Sequence, residues 1–193
     1  MTMPMPLRRR GFMSLLPPLA LAAWSSPDPS LYVIAVRPGA AMPSVPPVVQ
    51  LRDIGLPSYL DRREIVRSSE DYKIGVRSND WWAEPLGSML GRVLTLELSQ
   101  RLPGSNVYRD GGAISADPNA IVAVNIQRLD VDQARTLQLL AQVAVEFNRP
   151  KRTASRTFTI ARPVSAATVV AEVAATSDAV AELADGIAQM LQR

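Results

Sequence analysis

The chain has 193 residues, 47% hydrophobic and 5% aromatic, which suits one domain with an aliphatic core plus a targeting segment. It contains no Cys and no His, so disulfides, thiolate nucleophiles, Cys/His zinc sites and imidazole base chemistry are excluded together. Lys and Arg number 21 against 18 Asp and Glu, and Arg8, Arg9 and Arg10 carry the whole excess, so the rest of the chain is formally neutral and no nucleic-acid partner is expected.

Residues 1–23 read as an export signal. Arg8, Arg9 and Arg10 form a positive start, and an apolar run from Phe12 to Ala23 follows, too short to span a bilayer. Arg9-Arg10-Gly11-Phe12-Met13 also fits a twin-arginine pattern. A bacterial lipoprotein signal would place a Cys after Leu21-Ala22-Ala23, but Trp24 stands there and cannot carry a thioether-linked lipid. Residues 24–30 then read as a short polar tether and 31–193 as the domain. The location expected is the periplasm, with outer-membrane association but no lipid anchor.

In chain order, Leu31 to Val36 is β-branched enough to predict a first strand, followed by a proline-rich loop. A second strand is predicted over 48–54. Gly55 to Arg63 is a connector with apolar and charged members. Two short strands, 64–68 and 72–77, predict a hairpin. Asp80 is read as a helix cap or turn residue, with Glu84 and Pro85 in the first turn. Leu86, Met89, Leu90, Val93, Leu94, Leu98 and Leu102 then recur at three- and four-residue steps, predicting an amphipathic helix closed by Pro103-Gly104.

Asn106 to Tyr108 predicts a short strand, and 121–132 a long one whose apolar phase slips near Gln127-Arg128, the mark of a bulge. Leu137 to Phe147 alternates cleanly and forms a hairpin with it. Arg149 to Arg152 reads as a basic loop tip, open to lipid head groups but more simply a solvated turn. Residues 156–162 predict a last strand. A second helix follows over 166–193, with Val169, Val173, Val180, Leu183, Ile187 and Leu191 inward and Glu172, Asp178, Glu182 and Asp185 outward. The fold class expected is α+β, a mainly antiparallel sheet with two long helices packed on one face.

The chemistry is sparse. Asp110, Asp117, Asp130 and Asp132 are the only grouped carboxylates, and their spacing lacks the regularity of a calcium loop. Asp110-Gly111-Gly112 lacks the strand–loop–helix setting of a phosphate cradle. No cofactor, metal or catalytic residue is expected. Trp81 and Trp82 point to different sides of the chain, and an exposed tryptophan commonly anchors a partner. With Tyr59 and Leu60 they are the candidate partner-contact residues, simple packing being the competing reading.

Leu56-Pro57-Ser58-Tyr59-Leu60-Asp61-Arg62, a short hairpin, Trp82-Ala83-Glu84-Pro85-Leu86 and the leucine-rich helix ending at Leu102-Pro103 together resemble the PqiC-like family of ABC-type transport auxiliary lipoproteins. The resemblance spans about Leu31 to Leu191. It implies a non-enzymatic auxiliary component working with an MCE-domain substrate-binding protein, a permease and an ATPase in lipid transport between inner and outer membranes. It also implies ring-like homo-oligomers and contact with lipid. The alternative is a periplasmic module holding a small apolar ligand between its helices and sheet. A carboxylate-dependent hydrolase is the least favoured reading.

Overall fold

The computed structural model describes residues 28–43, 46–69, 71–112 and 116–192. The export signal and Trp24 lie outside that range. The elements run β1 (Ser30–Tyr32), β2 (Val48–Leu51), β3 (Glu64–Ser68), β4 (Gly75–Trp82), α1 (Leu86–Arg101), β5 (Asn106–Arg109), β6 (Ala120–Val131), β7 (Thr136–Asn148), β8 (Lys151–Pro163) and α2 (Val169–Leu191).

The class is α+β, but the strands form two mixed sheets rather than one mainly antiparallel sheet. A five-stranded sheet has the order β5-β2-β6-β7-β8, and a three-stranded sheet the order β1-β4-β3. β2 is parallel to both β5 and β6, and β1 is parallel to β4. Parallel neighbours need a long crossover. The passage from β2 to β5 supplies one, through the β3–β4 hairpin and α1. Beyond Leu51 the chain stays beside β6, with Arg52 and Gly55 donating to the carbonyls of Val122 and Val124 at 2.9 Å.

Alternation explains the long hairpin. Leu137, Leu139, Ala141, Val143, Val145 and Phe147 of β7 are buried, and α2 lies across β7 and β8. The register of β6 against β7 slips between Ile126 and Arg128, so Gln127 is the extra residue that the apolar phase change marks. Every apolar stripe residue of α1 and α2 is buried. Both helices pack against each other, with α1 also over β5. β8 begins at Lys151, five residues before the predicted start, because polar Thr153, Ser155 and Thr157 continue the alternation on the open face of the sheet.

Two local expectations are corrected. Asp80 is not a helix cap: β4 runs on to Trp82, and Asp80 accepts the Tyr32 hydroxyl at 3.0 Å. Pro85 stands at the N-cap without a side-chain cap, and Glu84 binds Arg92 Nε at 3.0 Å. Residues 33–37 are not strand either. The chain from Val33 to Pro43 is a strap over the helix pair, its N–H groups taken by side chains: Ile34 donates to Met89 Sδ (3.1 Å), Ala35 to Ser177 Oγ (3.0 Å) and Arg37 to Glu97 Oε1 (2.8 Å). Met42 N–H then donates to the Arg101 carbonyl at 2.7 Å. These bonds do for the strap what a neighbouring strand would otherwise do.

Candidate functional site

The four candidate contact residues divide sharply. Leu60 is 2% exposed and Trp82 is 7% exposed, both in the main core. Trp82 faces Ile65, Leu129 and Val173, where the small sheet meets α2. Tyr59 is half-buried against that core, and its hydroxyl donates to the Gln127 carbonyl at 3.3 Å. Burial, with the Asp130 carboxylate nearby, raises its pKa, so it stays a neutral donor.

Trp81 is also half-buried and lies outside the core cluster. β1 sets Leu31 directly beside it in register, and Leu31 is 63% exposed. Together with Asp28, Pro29, Arg63, Ala83, Glu84 and Pro85 they line a cleft of about 480 Å³ where the small sheet meets the start of α1. The indole N–H donates to the Ser78 carbonyl at 2.9 Å. The ring can therefore be covered without stranding a donor. Glu84 is paired with Arg92, and Asp28 and Arg63 carry opposite charges across the cleft. A rim balanced in this way suits an apolar side chain better than an ion.

The four grouped carboxylates do not converge. Asp130 is 1% exposed, paired with Arg128 and bonded by Ser69 Oγ. Asp132 closes the β6–β7 turn, and its bonds from the Thr136 N–H and Gln138 hold its pKa low. Asp110 accepts the neighbouring Gly111 N–H, and Asp117 lies exposed on the loop before β6. Among the described residues no three such groups gather as a metal site would require.

Sequence reasoning missed a buried charge cluster. Arg101 is 1% exposed and Glu97 is 0% exposed. Arg101 donates to Asp185 at 2.5 Å and to the carbonyls of Glu97, Ala181 and Arg37 at 3.1–3.4 Å. Glu97 Oε2 lies 3.8 Å from Arg101 and has no hydrogen-bond partner. Burial raises the Glu97 pKa against the opposing pull of the Arg37 N–H and Arg101. Positions 97 and 101 continue the 86–90–93–94–98–102 stripe of α1, so charges on that stripe were the available signal. Glu172, expected outside α2, is likewise buried and takes both arms of Arg77.

Fold and site thus describe an α+β domain with a partly apolar surface cleft and internally paired charges. The chain belongs to the family of ABC-type transport auxiliary lipoprotein components, whose model matches residues 32–188. Similar solved structures include an uncharacterised protein, 16% identical with TM-score 0.71 over 85% of this chain and 99% of that one. A Xanthomonas campestris protein of the DUF330 family is 22% identical, with TM-score 0.69 over 84% of this chain and 95% of that one. At such identity these two establish the shared fold. No curated protein matches the chain.

Proposed function

We propose that this protein is a non-enzymatic adaptor in an MCE-type ABC system that moves lipid between the inner and outer membranes. It works from the periplasm or the inner surface of the outer membrane. The observation that carries the reading is the family match over residues 32–188. The lack of Cys and His removes the commonest nucleophiles and bases, which agrees with a docking role. Half-buried Trp81 beside exposed Leu31 offers an apolar anchor of the kind that dominates interfaces. Trp82 borders the same cleft from the core side, whereas Leu60 lies in the core and Tyr59 packs against it.

The alternative, a module holding a small apolar ligand, needs room between helices and sheet. The void between the small sheet and α2 measures about 20 Å³. That is room for about one water, far below the roughly 300–1,000 Å³ of a small-molecule pocket. The test is affinity capture of the full chain from envelope extracts, with lipid extraction and native mass spectrometry on the same sample. The adaptor reading expects an MCE-domain protein, a ring of identical subunits and no stoichiometric lipid. Trp81→Ala should weaken capture at least fivefold. A tightly held lipid with no captured partner would favour the ligand-binding module instead.

A further inference from the structure

β8 is an edge strand of 13 residues with β7 on one side. Among the described residues none hydrogen-bonds to its outward backbone groups. An edge this long is open to another strand unless something discourages pairing. Four cations crowd its first half: Arg149 and Lys151 at the turn, then Arg152 and Arg156. No ion pair engages any of the four within the described chain, whereas Arg162 further along is paired with Glu182. Glu146, on the neighbouring strand, is held 3.5 Å from Arg52.

The two arginines are held in place. Arg152 stacks on Phe147 at 3.6 Å from the ring centroid, and Arg156 on Phe158 at 4.6 Å. Both pair in register with buried residues of β7, Arg152 with Phe147 and Arg156 with Val143, so they flank the edge on its helix side. Four residues of strand separate them by about 13 Å. On the open side, Ser155 and Thr157 border a depression of about 630 Å³ that crosses the sheet over Ala123 and Ala144.

We propose that β8 takes up an extended acidic segment of a partner protein by strand addition. Carboxylates four residues apart would face Arg152 and Arg156, and intervening side chains would reach the depression over Ala123 and Ala144. A second copy of this chain is a poor occupant. Edge-to-edge pairing through this half of β8 would set arginine against arginine, and like charges facing across strands destabilise pairing. The inference does not depend on the transport reading.

The probe is a capped nonapeptide of alternating Thr and Val with Glu at its third and seventh positions, added to the full chain. Saturable binding that falls as salt rises is expected, with slowed amide exchange confined to residues 151–157. Lys in place of both Glu should weaken binding at least tenfold, as should Arg156→Gln or Arg152→Gln. The exchange map of the unaltered protein stands even where a variant fails to fold. No binding at millimolar peptide, equal binding of the Lys peptide, protection elsewhere than β8, or β8 protection that grows with protein concentration alone would each overturn the proposal.

Discussion

Arg101 holds three parts of the molecule with one guanidinium: its own helix through Glu97, α2 through Asp185 and Ala181, and the strap through the Arg37 carbonyl. Gly39 passes so close that a Cβ there would lie 2.3 Å from the guanidinium carbon. Arg101→Met should therefore cost about 3–5 kcal/mol in chemical denaturation, since it leaves Glu97 buried without its cation. Glu97→Gln should behave oppositely. Because burial raises the folded-state pKa above 4.5, the folded protein binds this proton more tightly than the unfolded chain. Stability from that proton is full below about pH 4.5 and is lost as pH rises through the raised value. Gln keeps an acceptor for the Arg37 N–H and never ionises, so the stability of Glu97→Gln relative to the parent should rise across that window. A flat difference between pH 4 and 8 would contradict this. The neighbouring tryptophans make a similar contrast. Trp82→Ala should cost about 3–5 kcal/mol as a core deletion, and Trp81→Ala less than about 1 kcal/mol, read from urea midpoints. The sequence showed that two adjacent rings face apart, but choosing the inward one depends on how β4 meets α2.

Among the elements, those whose burial follows a simple period were legible: α1, α2, the β6–β7 hairpin and its bulge at Gln127. The strap was not, because Leu31 to Val36 carries the composition of a strand and its partners are scattered at Met89, Glu97 and Ser177. The parallel placement of β2 was also hidden, since neighbour order is decided by the path of the chain through α1. Likewise Arg152 reads as loop in sequence, yet it is part of β8 and stacks across the hairpin on Phe147. Gly186 looks like a weak point in α2, but it is where the helix packs directly on Phe158 of β8. A Cβ there would lie 2.2 Å from Phe158 Cε1. Gly186→Ala gains about 1 kcal/mol of helix propensity, yet the forced repacking costs about 1–3 kcal/mol. The variant should be less stable than the parent by thermal unfolding, and Gly186→Ala combined with Phe158→Leu should recover part of the loss.

On the scale of the whole molecule, the apolar cleft and the basic edge sit on different sheets, the cleft on the β1–β4 pair and the edge on β8 of the five-stranded sheet. Residues 28–31 enter beside Trp81 and the start of α1. A leader attached before Asp28 would therefore bring the cleft toward whatever holds the leader. That geometry makes the fate of the N-terminus consequential. The family is one of lipoprotein components, yet Trp24 follows Leu21-Ala22-Ala23 where a lipid-bearing Cys would stand. Trp offers no sulfur for diacylglycerol transfer, so export should end in plain cleavage near Ala22 or in retention of the leader. The expected outcome is a periplasmic protein without a lipid adduct, released by osmotic shock if cleaved and sedimenting with membranes if not. Intact-mass measurement of the exported chain separates these two, and an added diacylglycerol mass would refute both. Replacing Trp24→Cys should move the protein into the membrane fraction with that adduct, showing that one side chain decides whether the cleft end faces a bilayer or open periplasm.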